Sequence, residues 1–256
     1  AASLDANTTG TDNVAVGHRA LGANTEGTGN VGLGNDALFK NTTADFNVAV
    51  GFGAMFENTT GDNCTAVGTS ALGKNTTGSD NVAVGRNSQD ANTDGHSNTS
   101  VGESSLTTNT TGIRNTSIGK DSMVSNSTGN ENVAVGRSAL NANTTASSNT
   151  AVGNECMRSN TTGEQNTAIG YAALDSNTTA TGNTAVGMHA LGALTTGGAN
   201  VIIGKGAATN QTTASNNVVI GEGAGSNITT KTECILIGRE ANTSANSASE
   251  LVIGTS

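Results

Sequence analysis

The chain has no proline and no tryptophan, and its four phenylalanines and one tyrosine bring aromatic residues to only 2%. Hydrophobic residues make up 34% of its 256 residues, and much of that is alanine. A globular core built on large side chains is excluded by this composition. Basic residues are scarce as well: 11 Lys and Arg stand against 20 Asp and Glu, for a net charge of −9, and the acids are scattered singly. A nucleic-acid partner is not expected on this ground, because phosphates require clustered lysine and arginine. No apolar run approaches the roughly 18 residues of a membrane span. The chain shows no signal peptide and does not start with methionine, so a processed chain or an excised segment is expected.

What the sequence does contain is repetition. Glycine falls every 17 residues at 17, 34, 51, 68, 85, 102, 119, 136, 153, 170, 187, 204, 221 and 238, and the next copy reaches its glycine one residue early, at Gly254. The consensus is N-[VT]-A-[VI]-G-x-x-[AS]-[LM]-x-x-N-T-T-G-x-x, with position one at Asn13. Low hydrophobicity alone would suit disorder. Strict repetition instead indicates an architecture that buries few apolar side chains between neighbouring copies. Asn, Thr and Gly are poor helix formers, and "NVAVG" reads as a short strand closed by glycine. "ALxxNTTG" reads as a second short segment closed by a turn. The expected fold is all-β, a parallel β-solenoid or β-roll of about fifteen 17-residue rungs. Stacked at about 4.7–4.9 Å, they would make a rod of roughly 70 Å.

Each column of the repeat is a candidate ladder. Position four is always aliphatic (Val16, Val50, Val84 and Val135 among others) and is expected to point inward, with position two on its face and the leucines of position nine completing the core. Position three carries only Ala, Ser or Gly through eleven copies, including Ala15, Ala49, Ala83, Ala134, Ala168 and Ala185. It is expected to face out and to touch a sister chain. Asparagine opens almost every copy, as at Asn13, Asn30, Asn47, Asn81, Asn132 and Asn149, and a second column runs through Asn24, Asn41 and Asn58. Such amides tolerate left-handed turns and can donate and accept along the stacking axis, as in cross-β amide ladders.

"NVAVGRSAL" (132–140) and "NTAVGMHALG" (183–192) resemble the left-handed parallel β-roll repeats of trimeric autotransporter adhesin heads. The longer form "NTAVGxxALxxNTTG" is similar to repeats of phage tail fibres and related bacterial surface proteins. The likeness covers essentially the whole chain. It implies a left-handed, homotrimeric fibre segment, extracellular, at the cell surface or on a virion. No cell-binding residue is carried over, because the matching positions are scaffold positions.

Chemistry is hard to find in these letters. His18, His96 and His189 sit in variable columns with no Ser–Asp or Cys–His arrangement around them, and no catalytic residue is assigned. Cys64 and Cys234 are ten rungs apart, roughly 47 Å, far beyond the 4.4–6.8 Å Cα separation of a disulfide. They and Cys156 read as buried small residues. The aspartate column of calcium-binding nonapeptide rolls is missing, and no helix or Gly-Lys-Ser/Thr follows the glycines. No metal and no cofactor are therefore expected. No pair of carboxylates stands out for glycoside hydrolysis, so the chain reads as a non-enzyme. The Asn-Thr-Thr triplets at Asn41, Asn58, Asn75 and Asn109 are formal glycosylation sequons whose amides are better used in a ladder. Threonines at position thirteen, from Thr25 to Thr229, form one column where ice-binding faces want two on one side.

From Asn200 the pattern shifts. Position three becomes Ile202, Val219, Leu236 and Val252 while the leucine column fades to Ala208, Gly225 and Asn242. Residues 1–199 are read as the regular solenoid and 200–256 as a transition or docking end. The expected function is a structural fibre or adhesin rod spacing binding domains. Its partners would be other copies of itself, as a homotrimer or end to end, and a cell-surface glycan or protein. Alternatives are a self-assembling extracellular filament subunit or an ice- or surface-binding solenoid.

Overall fold

Glycine at position five fixes the corner of each rung. Gly17 has φ +131°, and a Cβ there would lie 2.5 Å from the carbonyl oxygen of Gly34 one rung on. Both the left-handed backbone and the close approach exclude any side chain, which is why this column never varies. The computed structural model describes residues 2–244 and 249–254. The chain folds as an all-β parallel β-solenoid with one three-residue strand per rung, and no helix occurs among the described residues.

The chain divides into two compact units, residues 1–130 and 131–256. The first holds β1 (Val14–Val16) to β7 (Thr116–Ile118) and the second β8 (Val133–Val135) to β15 (Leu251–Ile253). Within each unit, successive strands pair in parallel with every residue opposite its counterpart 17 positions on, as in Val48↔Thr65, Ala49↔Ala66 and Val50↔Val67. The last pairing steps by 16, Ile235↔Leu251. That is the copy whose glycine comes early.

The expected second segment is not a strand. Positions seven, nine and seventeen are left-handed instead, as at Asp36 (φ 61°), Leu38 (φ 52°) and Phe46 (φ 57°) in one rung. Peptide groups consequently point alternately up and down the stack. The Asp36 N–H donates back to His18 O at 2.9 Å, and the Leu38 N–H donates forward to Ala54 O at 3.0 Å. A left-handed residue with a Cβ costs roughly 1–2 kcal/mol, and a β-branched one more. The column at nine accordingly uses Leu, Met and once Gln89 through Leu191, never Val or Ile.

Burial reverses the expected facing of the strand. Ala49, Ala83, Ala134, Ala168 and Ala185 are fully buried, and Ala15 is partly buried against the core of the first unit. Position three therefore lines the interior of its own coil and is not a contact with a sister chain. Position four points outward: Val16 is 62% exposed, and Val50, Val84 and Val135 are half-buried. The small size at position three comes from the leucines across the coil. A Cβ on Gly32 would sit 3.4 Å from Leu21 Cγ, so a methyl fits and little more does. The change after residue 200 follows the same rule. Ile202, Val219 and Leu236 are buried at position three, and facing them position nine shrinks, so a Cβ on Gly225 would come within 3.1 Å of Val219 Cγ1. Large and small side chains exchange sides of one core, while outward Val201, Ile203, Ile235 and Ile237 carry on the exposed columns.

The two asparagine columns do different work. At position one each amide joins backbone groups. Asn30 Oδ1 accepts the Asn47 N–H at 2.9 Å, and Asn30 Nδ2 donates to Ala44 O across the coil at 2.7 Å. Asn13, Asn47, Asn81, Asn132 and Asn149 bond in the same two ways. At position twelve the amides bond one another. Asn41, Asn58, Asn75 and Asn92 each donate to the preceding Oδ1 at 2.7–3.0 Å, and each Nδ2 also closes its own turn by donating to the carbonyl three residues on. Asn154 Oδ1 is the one buried side-chain nitrogen or oxygen among the described residues with no hydrogen bond.

Two predictions follow from these columns. Leu72 is fully buried at φ 51°. Leu72→Met should cost under about 1.5 kcal/mol, whereas Leu72→Ile should cost about 1–2 kcal/mol more, read as separate shifts in a thermal or urea melt. Asn58→Ala should cost about 1–3 kcal/mol for each buried group it strands, namely Asn41 Oδ1 and one N–H of Asn75 Nδ2, while Gly61 O keeps its bond from Asn47 Nδ2. Asn58→Asp buries a carboxylate against two acceptors, Asn41 Oδ1 and Gly61 O, which raises its folded pKa above the unfolded value of about 3.9. Its stability should therefore be greatest below that value and fall as pH rises through the folded pKa; melts of this variant at pH 3.5 and 7 check the sign against wild type.

Candidate functional site

The most extensive candidate site is the outward face of the strands. Positions two and four of every rung point away from the core, because position three points into it. Column two mixes Val with Thr (Val48, Thr65, Val82, Thr99) and column four is Val, Leu or Ile. In the first unit Val14, Val16, Leu33 and Val67 are exposed. In the second, Ile169, Val201, Ile203, Ile235, Ile237, Leu251 and Ile253 are exposed, the last at 72%. Seven strands at ~4.8 Å spacing, each of three residues at ~3.3 Å, give a face of roughly 330 Å². That matches the largest apolar patches of ordinary monomers, which often mark an interaction site. The backbone bonds of the strands run along the stack, so the polar groups on this face are the hydroxyls of the column-two threonines. Apolar area is what the coil leaves unburied.

Elsewhere on the coil, recurrent polar side chains bond from rung to rung within the chain. Position-thirteen threonines turn their hydroxyls to the next rung: Thr59 Oγ1 donates to Thr76 O at 3.0 Å and Thr76 Oγ1 to Thr93 O at 3.1 Å. They do not form an open array of donors. Charges pair between neighbouring rungs, as in Arg19–Asp36 at 2.7 Å, Arg86–Glu103, Lys120–Glu103 at 3.2 Å and Lys205–Glu222 at 3.4 Å. Such exposed pairs add little stability each.

His96 Nδ1 and Ser97 Oγ, neighbours in sequence on an exposed turn, lie 3.2 Å apart, and His189 packs edge-on against Tyr171 at 5.2 Å between centroids. Among the described residues no three His, Cys, Asp or Glu side chains converge as a metal site. Among the described residues no helix is long and apolar enough to cross a membrane. Sequence reasoning missed the outward face because it took aliphatic columns for core. The available signal was the paired change after residue 200, where position three enlarges to Ile202 as position nine shrinks to Ala208, which requires those two columns to share one interior.

The chain matches no protein-family model and no curated protein.

The cysteines are buried and form no disulfide. Burial pushes the Cys64 thiol up to about 11 and the Cys156 thiol up to about 12. Thiolate, the reactive form, is scarce below those values. Native protein at pH 8 should therefore react with a disulfide reagent at least tenfold more slowly than denatured protein, followed by absorbance; equal rates would place these thiols at the surface.

Proposed function

We propose that the protein is a structural segment of an extracellular or virion fibre, not an enzyme, whose outward sheet face joins it to further copies of itself. The observation that carries this reading is the unpartnered apolar face built from columns two and four. Every buried polar ladder closes within one chain, so association would need to bury only side chains. The resemblance to adhesin-head and tail-fibre repeats favours three copies around a common axis, and a fibre of this kind would space domains that meet a cell-surface glycan or protein. A second reading has its own support. The same face sets threonine rows among valine rows on a regular sheet, which suits ordered water and an ice or mineral surface.

Val67→Arg changes an outward residue and Ala66→Arg an inward neighbour. Sedimentation equilibrium at micromolar protein should show an oligomer for wild type and a folded monomer for Val67→Arg. Ala66→Arg should fail to fold, because it places an unpaired charge among Leu72, Ala49 and Ala83 at a cost of several kcal/mol. A monomeric wild type would overturn the fibre reading, and thermal hysteresis in that monomer would establish the second.

A further inference from the structure

All four phenylalanines fall within residues 39–56, and the repeat scaffold requires none of them. Phe39 and Phe56 occupy position ten of consecutive rungs and stack with centroids 5.3 Å apart at 26°. Arg19 covers the outer ring, 4.5 Å from the Phe39 centroid, while Phe56 lines a groove of about 280 Å³. Phe52, 59% exposed, forms another part of its wall. The groove exists because position ten of the next rung is Gly73, where a Cβ would lie 2.5 Å from Asp90 Oδ1. Gly53 beside Phe52 has open space where its side chain would be.

The polar lining is mixed. Asp36, Glu57, Ser70, Lys74 and Asp90 all reach the groove. Each acid already has a cationic neighbour: Arg19 for Asp36 at 2.7 Å, Lys40 for Glu57, and Lys74 for Asp90 at 3.8 Å. An organic cation would have to displace these partners, and an anion would meet three carboxylates. A wholly apolar ligand would desolvate them without hydrogen bonds. A ring with one apolar C–H face and hydroxyls around its edge satisfies every part, since C–H groups lie on phenyl faces and hydroxyls both donate to carboxylates and accept from ammonium. The volume is at the small end for ligand pockets, about 300 Å³, which suits a single ring.

We propose that this groove is a binding site for one neutral pyranose unit, with Phe52 and Phe56 as its stacking wall and Glu57, Ser70, Lys74 and Asp90 as its hydroxyl partners. It goes beyond the fibre reading and stands on one chain: every residue belongs to the first unit, so binding does not require assembly.

The test titrates the full chain with D-glucose, D-galactose, D-mannose and N-acetyl-D-glucosamine, read by saturation-transfer NMR and by the phenylalanine ring shifts. At least one sugar should receive saturation at its ring C–H protons and shift the Phe52 and Phe56 resonances of the wild type. Phe52→Ala and Gly73→Ser should each weaken that binding tenfold or more with unchanged circular dichroism. Phe46→Ala, at an exposed phenylalanine outside the groove, should leave it unchanged. No transfer to any of the four sugars, ring shifts absent from Phe52 and Phe56, or tetramethylammonium shifting those rings where the sugars do not would overturn the proposal. Because these readouts hold for a monomer, a failed self-association leaves them standing, and a failed sugar titration says nothing against the fibre.

Discussion

A buried amide in this coil is satisfied by its counterpart one rung away, and everything else in the fold accommodates that pairing. The partner of Asn58 Nδ2 is Asn41 Oδ1, and the partner of the Asn47 N–H is Asn30 Oδ1. Such bonds exist only if successive rungs superpose atom on atom. That demands a constant residue count, a glycine wherever backbones nearly touch, and the same left-handed positions in each copy. A core of alanine and leucine is enough under these conditions, because the polar groups inside are not left to oppose it. An unpaired buried amide would cost about 1–3 kcal/mol, so a chain with this many buried asparagines is stable only through the regularity of its repeat.

The period, the parallel stacking and the asparagine ladders were legible in the sequence, because each is a relation between identical residues at fixed spacing. The side of the strand that faces inward was not. Hydrophobicity points to valine over alanine as core, which would put Val16 inside and Ala15 outside, the reverse of their burial. The deciding facts are conformational. Position nine is left-handed, its leucines reach across the interior, and only a methyl or hydrogen is left room at position three. The paired change at Ile202 and Ala208 carried this information, since it makes sense only if the two positions share one interior. The aromatic groove was hidden for another reason. Its residues come from positions six, seven, ten and eleven of several rungs, columns that vary freely and look like ordinary turn surface until they are stacked.

The ion pairs between rungs, individually weak, acquire a different significance beside such a uniform interior. A chain whose core letters recur every 17 residues could slide by one whole rung and remake nearly all of its ladders, so the interior scarcely distinguishes the correct pairing from a shifted one. The unrepeated surface does. Arg19 meets Asp36, and one rung further it would meet Gly53; Arg86 meets Glu103, and one rung further it would meet another cation, Lys120. The stacked pair Phe39–Phe56 likewise has no second copy to slide onto, since Gly22 and Gly73 flank it. Irregular side chains on a regular coil thus work as index marks. They penalise misthreaded forms that the core would accept, and a version of this protein made perfectly periodic would keep its stability while losing its means of counting rungs.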